Sequence, residues 1–403
     1  MAKNIDIPDG WEVKKLGEIG NFFKGKGIKK DELCNNGLPC IIYGQIYTSY
    51  EFYTDKFISF IPTNLKPYTT EIYKNDILFA GSGETKEEIG KSIAYIGKEF
   101  AYAGGDIIIL RQNKVQSLFI TYYLNSMGRK QLNRLGQGDS VVHIYKSTLE
   151  NVKIPVPPLD EQKKIADILS LWDKAIQQTK ELIAYKETQK KGLMQNLLTG
   201  KKRLHGFNDE WKTTKLGEVA EFISGYSFSS DDFTNSGLAL IKISNINNEK
   251  IEIDNNTSYL PLNYEDKYNK FIIRYNDILI AMSGATTGKM GVYNLKDTAL
   301  LNQRVGIIRA KANNNQIFLI YILKIYSNKM LEMAYGGAQP NISFNDIYKI
   351  KIKIPNSIDE QKAIADILSK ADEEINLLNK QLDLYTEQKK GLMQNLLTGK
   401  VRV

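Results

Sequence analysis

Only two cysteines and two histidines occur in 403 residues. Cys34 and Cys40 lie in CNNGLPC with no histidine or further cysteine nearby, so the ligand spacing of a structural zinc site is missing. They read as reduced thiols. His143 and His205 have no cysteine or carboxylate at catalytic spacing, and no Ser, His and Asp constellation can be assembled. Long apolar runs are missing as well. IFLIYIL at 317–323 stops at Lys324, far short of the roughly 20 residues a membrane helix needs. The opening MAKNIDIPDGWEV has no hydrophobic signal core. These absences argue against a metal enzyme, a triad hydrolase, a secreted protein and a membrane protein. The expectation is a cytoplasmic chain that does not contact a membrane.

What is present is a globular composition, 42% hydrophobic and 25% charged, over a length that calls for two or three domains rather than one core. The net charge of +8 favours a polyanionic partner. Two glycine-rich stretches invite a cofactor reading and fall short of it. FAGSG at 79–83 fits the loop with which methyltransferases hold S-adenosylmethionine, but its counterpart IAMSG at 280–284 loses the first glycine, and no motif for positioning a target nitrogen occurs. GATTGKM at 284–290 resembles a phosphate-binding loop with one residue too few between its glycines and Met290 where a hydroxyl should hold magnesium. A turn carrying Lys289 toward a phosphate is the more modest use. No catalytic residue, no metal and no cofactor of the chain's own is therefore expected.

The strongest feature is repetition. KKGLMQNLLTGK occurs at 190–201 and again at 389–400, while DEQKKIADILS at 160–170 returns as DEQKAIADILS at 359–369, both displaced by 199 residues. Upstream, KLGE, NDIL and KIP recur in order, and SLFITYYLNS near 117 answers to QIFLIYILKIYS near 316. The chain is a tandem duplication with one similar and one divergent part in each half.

The similar part reads as a long helix with a heptad seam. In the first copy the seam takes Ile165, Ile168, Trp172, Ile176, Thr179, Leu182, Leu193 and Leu197; in the second it takes Ile364, Ile367, Ala371, Ile375, Leu378, Leu382, Tyr385, Leu392 and Leu396. Pro157, Pro158 and Pro355 bar an earlier start, and Gly200 and Gly399 mark the ends. Two such helices of matched length suggest an antiparallel coiled coil. The divergent parts show short β-branched runs such as CIIYGQIY, DIIILR, ALIKISNI and VGIIRA, with short helices around 116–134 and 316–334, so each is expected to be an α+β domain with a twisted sheet. The boundaries drawn are 1–156, 157–202, 203–354 and 355–403. Joining LLTGKVRV at the end to MAKNIDIPDGWEVKKLGE at the start would reproduce the internal junction LLTGKKRLHGFNDEWKTTKLGE, with Trp11 standing where Trp211 stands. The repeat is cyclic, which implies neighbouring termini and an approximate two-fold axis.

IPVPPLDEQKKIADIL, the heptad helix closing in KKGLMQNLLTGK, and the second full copy together resemble the specificity (S) subunit of type I restriction-modification systems, over essentially the whole chain. GGAQPNIS at 336–343, and SGATTGK with LNQ at 301–303, look like recurring pieces of that family. The first half departs from it, with YAGGDIIILR in place of the LNQ segment and a longer SGETKEEIGK, so loop contacts do not transfer between the halves. The resemblance implies that 1–156 and 203–354 are target recognition domains, each reading half of a split double-stranded DNA sequence. It further implies that the helices separate them and dock two methyltransferase (M) subunits that bring S-adenosylmethionine, with restriction (R) subunits joining to cleave.

Within those domains the expected DNA contacts are polar loop residues. They are Lys24, Lys26, Gln45, Tyr47, Lys86, Lys91, Gln137, Ser140 and His143 in the first, and Ser224, Tyr226, Lys242, Asn245, Thr286, Lys289, Gln339, Asn341 and Ser343 in the second. Two other readings compete. A stand-alone S-adenosylmethionine-dependent DNA methyltransferase would bind the cofactor itself, and a coiled-coil scaffold without DNA specificity would show no sequence preference.

Overall fold

The computed structural model describes residues 7–138, 141–247, 249–284, 286–334 and 341–403. The chain divides into two compact units, one formed by Met1–Glu181 with Lys380–Val403, the other by Leu182–Asn379.

In the first unit a five-stranded sheet runs in the order Asn21–Lys24, Ile107–Arg111, Ile77–Ala80, Ser92–Tyr95, Tyr53–Thr54. A four-stranded sheet runs Ser59–Ile61, Leu38–Ile41, Ala101–Ala103, Thr70–Ile72. The apolar run IIIL has no alternation because its strand is covered on both faces. Ile108 and Leu110 pack with Phe79, Phe119 and the helical residues Ile165 and Leu169, whereas Ile107 and Ile109 pack with Ile41, Ile72 and Ala101 of the other sheet. The second unit repeats this plan. Its six-stranded sheet runs Ala220–Ser224, Val305–Ala310, Ile278–Ala281, Met290–Val292, Glu249–Ile251, Ile246–Asn247, and its four-stranded sheet runs Ser258–Leu260, Leu238–Ile241, Ala299–Leu301, Ile272–Ile273. Two large sheets per unit, with two-stranded ribbons such as Glu12–Lys15 with Lys153–Val156 and Lys212–Lys215 with Lys351–Ile354 beside them, replace the single one expected. In the first unit the helix over the sheet breaks at Ser126–Gly128 into Ser117–Asn125 and Arg129–Asn133; in the second it continues as Gln316–Ala334.

NDIL recurs because each copy builds the same tight turn. Asn75 and Asn276 adopt left-handed backbone, φ 73° and 69°, which asparagine tolerates better than most residues. The next residue, Asp76 or Asp277, accepts a fork of bonds from Arg111 or Arg309, at 2.9 and 2.6 Å for the shortest ion-pair distance.

The long helices span Leu159–Leu197 and Ile358–Leu396, 39 residues each, about 60 Å at 1.5 Å per residue. Gly200 and Gly399 follow them in left-handed conformation, φ 71° and 70°. Inside each unit the beginning of one helix lies antiparallel to the end of the other. Trp172 meets Tyr385 edge to face at 5.5 Å in the first unit; Lys186 pairs with Glu374 at 2.6 Å in the second. Of the seam residues, Ile165, Ile176, Leu197, Ile364, Ile375 and Leu396 are buried, and Ile168, Trp172, Leu193, Ile367, Leu378, Leu382 and Leu392 are half-buried. Leu182 is not in the seam: it is 42% exposed, while Ile183 is 8% exposed. Steps of four and three must alternate to hold a 3.5-residue period, so after the step of three from Ile176 to Thr179 the seam moves four, to Ile183.

No helix among the described residues is long and apolar enough to cross a membrane, and among the same residues no cluster of His, Cys, Asp and Glu could hold a metal. Cys34 and Cys40 are free thiols, and burial pushes the Cys40 thiol up to about 12.

Candidate nucleic-acid interface

In each unit the central strand runs out into a glycine-containing loop, which a later stretch of chain pairs and covers. In the first unit Ser82–Gly83 pairs antiparallel with Val142–His143, Ile144 donates its N–H to the Gly81 carbonyl at 2.9 Å, and Gln137 and His143 exchange two backbone bonds of 2.9 and 2.8 Å. In the second unit Ser283 pairs with Asn341, and Ile342 donates to the Met282 carbonyl at 3.1 Å. The backbone frame is shared. The side chains on it differ.

Several expected contacts gather at this edge in the first unit. His143 lies with Nδ1 2.9 Å from the Ser82 hydroxyl, and Tyr47 donates its phenol to the Ser82 carbonyl at 3.0 Å. Burial pushes the Tyr47 phenol well above its usual range, so it stays a donor. Lys24 and His143 line one open cleft of about 540 Å³ together with Asp106, Tyr145, Lys146 and Glu150. Lys26 and Gln137 are exposed. Other residues are turned to structural tasks. The Lys91 ammonium, whose pKa burial lowers, donates to the carbonyls of Tyr50 at 2.7 Å and Tyr47 at 3.3 Å. Gln45 accepts from the Ile42 N–H at 3.2 Å and donates to Ser59 at 2.5 Å. Lys86 is exposed in a turn with Glu84, Glu87 and Glu88, which offset its charge. Ser140 lies outside the described residues.

In the second unit Ser224, Lys289 and Asn341 are exposed, with Lys289 following the turn at 286–288. Tyr226, 40% exposed, packs with Phe228, Tyr268 and Phe271 at ring distances of 5.0 to 5.3 Å. Lys242 donates to Ser258 at 2.7 Å and lies over the Phe233 ring. Thr286 is half-buried, and its hydroxyl has no hydrogen-bond partner among the described residues. Asn245 corrects the sequence expectation. It is 5% exposed, and its amide is consumed by the Lys242 N–H, the Glu252 carbonyl and the Thr257 hydroxyl. Ser343 caps the helix Phe344–Tyr348, bonded to Asp346, whose carboxyl it holds below the usual range. Gln339 lies outside the described residues.

The FAGSG and GATTGKM loops are likewise built into the fold. Gly81 donates to the Asp106 carbonyl at 2.7 Å, Ser82 and Gly83 pair with Val142–His143, and Thr287 bonds the Gly284 carbonyl at 2.6 Å.

Sequence reasoning missed two sets of residues that anchor the sheets of each unit to its helices. Glu161 receives Arg402 through two bonds of 2.6 and 2.8 Å and the Trp11 indole at 3.2 Å; Glu360 receives Arg203 at 2.7 and 2.9 Å and Trp211 at 3.2 Å. Beside them Gln162 accepts from the Gln116 N–H, and Gln361 from the Asn315 N–H. The repeated Glu-Gln pair is thus a docking device. Further along, Asp173 takes a proton donor from Tyr122 and an ion pair from Lys389, and Asp372 takes the same from Tyr321 and Lys190. Burial raises the Asp173 carboxyl and drives the Tyr122 phenol far up, so that phenol remains a donor. The signal was available, since every member of these sets recurs at a displacement near 199.

Comparison with known proteins agrees with this construction. The profile described as type I restriction modification DNA specificity domain matches twice, at residues 8–185 and 208–384. The MjaVIII type I restriction enzyme specificity subunit of Methanocaldococcus jannaschii is 30% identical over 99% of this chain and 95% of its own length. The EcoKI specificity subunit of Escherichia coli is 27% identical over 43% of this chain and 38% of its own. In fold, the chain is similar to the type I restriction-modification S subunit of M. genitalium, with a TM-score of 0.65 and 16% identity over 98% of this chain and 97% of that one. Two family matches, one full-length relative and a shared α+β architecture converge, and the chain belongs to the type I restriction-modification DNA specificity subunits, a class that recognises DNA rather than one that performs the chemistry.

Proposed function

We propose that the two recognition domains, within 1–156 and 203–354, each read one half of a bipartite DNA site. On this reading the long helices form a coiled coil that docks two methyltransferase subunits and sets the spacing between the half-sites. One observation supports it most: the same backbone frame carries different side chains in the two units. His143 and Asn341 occupy matching places opposite the loop serine, and Lys24 and Lys26 face Ser224 and Tyr226 in the aligned repeat. Two frames with distinct edges suit two distinct half-sites, whereas shared helix sequence suits two copies of one partner. Lysines supply salt-dependent affinity for phosphates, and the loop amides and imidazole supply discrimination. S-adenosylmethionine then belongs to the methyltransferase subunit, and restriction subunits join the same assembly to cleave.

Sequencing of modified bases in cells that carry this chain with its methyltransferase partner should return a split motif with a fixed spacer. A continuous motif, or none, would contradict the proposal. Adding seven residues after Thr179 and after Leu378 keeps the seam in phase and lengthens the helices by about 10 Å. An active variant that retains the parental spacer would remove the helices from the role of ruler.

A further inference from the structure

We infer that His143 is a specificity-determining residue of the first unit, presented by Ser82 as an Nε2–H donor that selects a hydrogen-bond acceptor on a base edge. This rests on the DNA-reading function proposed above.

Ser82 is 2% exposed, and the partner of its hydroxyl among the described residues is His143 Nδ1 at 2.9 Å. A buried hydroxyl proton left without an acceptor costs about 1–3 kcal/mol. Had Nδ1 carried the ring proton, Ser82 would accept and its own proton would have no partner among the described residues. The arrangement that satisfies both groups has Ser82 donating to Nδ1, which puts the imidazole proton on Nε2. Nδ1 is then committed inside the fold, and Nε2 is the ring nitrogen left for a ligand.

The ring is also held in place. His143 is fixed by two backbone bonds to Gln137 and by its pairing with Ser82, and its face lies 6.4 Å from the Tyr145 ring at an interplanar angle of 29°. It borders a cleft of mixed charge, where Lys24 and Lys146 face Asp106 and Glu150 and Lys146 pairs with Glu150 at 3.7 Å. A donor at this place pairs with guanine O6 or N7, adenine N7 or thymine O4, and rejects the cytosine amino group. Asn341, at the matching place in the second unit, carries both a donor and an acceptor and can pair with adenine in the bidentate manner. The two units therefore read with different chemistry from one backbone position.

The test uses the full chain in complex with its methyltransferase subunit and measures binding to labelled duplexes, each changed at one position of the parental motif. In His143→Ala, discrimination at one position of one half-site should fall by about ten- to a hundredfold. The other half-site should be unchanged, which reports an intact complex. His143→Asp replaces the donor by an acceptor and should shift preference at that position toward cytosine or adenine amino groups. Ser82→Ala frees the tautomer and should weaken the same position only. His143→Ala and His143→Asp complexes that discriminate as the parent does at every position would overturn the inference. A parent complex with no sequence preference would instead sink the DNA-reading function beneath it.

Discussion

The two units carry one ionic latch in two different environments. In the first, the side chains of Lys389 and Asp173 are 7% and 13% exposed; in the second, those of Lys190 and Asp372 are 18% and 34% exposed. The cause lies one strand away. Phe52, just before the strand Tyr53–Thr54, packs on Tyr122 at 4.8 Å and sits under the Lys389 ammonium at 4.1 Å. By strand register the corresponding residue of the second unit is Glu249, which reaches out to Lys324 at 2.8 Å and leaves an apolar cavity of about 260 Å³ beside Ile278, Val292 and Leu323. Duplication preserved the bonds, while divergence changed the medium around them. Because an ion pair's net worth depends on that medium more than on its length, identical contacts need not contribute equally.

The largest expected effect separates the latches directly. Lys389→Met leaves the Asp173 carboxylate buried without its cation and should destabilise the chain by about 3–5 kcal/mol, whereas Lys190→Met leaves a carboxylate that water can reach and should cost roughly half as much or less. Urea unfolding of the full-length variants measures this. Equal losses would show that the surroundings do not matter.

A smaller contrast is expected at the helix ends. Alanine at Gly200 or Gly399 pays about 1–2 kcal/mol for left-handed backbone. At Gly399 the new methyl would also meet Pro8 at 2.2 Å, where at Gly200 it would meet Trp211 at an ordinary 3.4 Å. Gly399→Ala should therefore melt at the lower temperature of the two, and the reverse order would contradict the close packing at Pro8.

Acid titration should show a finer difference. Burial raises the Asp173 carboxyl above its usual value, more than Lys389 and Tyr122 lower it. The folded chain then takes up this proton at higher pH than the unfolded chain, so between those two values this group's contribution rises as pH falls and is lost as pH rises through the raised value. Asp173→Asn should flatten the pH dependence of stability in that window. An unaltered profile would mean that the first latch is as wet as the second. The smallest effect belongs to the exposed rim: Lys186→Ala, which removes a pair with the half-exposed Glu374, should cost about 0–1 kcal/mol.

Much of the architecture was legible because it is local or repeated. Helix boundaries followed from Pro157, Pro158, Gly200 and Gly399, and the strand at 107–111 from its β-branched run. The seam failed at Leu182 because a leucine three residues after Thr179 offered a second step of three, where the period calls for a step of four to Ile183. Loop polarity alone does not separate a ligand contact from a structural one. Asn245, Ser343 and Lys91 are polar because turns, caps and buried carbonyls need partners, a requirement invisible until those carbonyls are placed. The anchors at Glu161 and Asp173 join residues 51 to 241 positions apart, beyond the reach of any local pattern, although the repeat displaces all of them together.

The clasp of Arg402 on Glu161 also bears on the order of synthesis. Residues 1–181 leave the ribosome long before Lys380–Val403, and without them Glu161 has no guanidinium and Asp173 has no ammonium. The second unit is one continuous stretch that can close as soon as it is made. The half that is translated first is thus finished after the second, its buried acids waiting for cations that are made only once the second unit is complete.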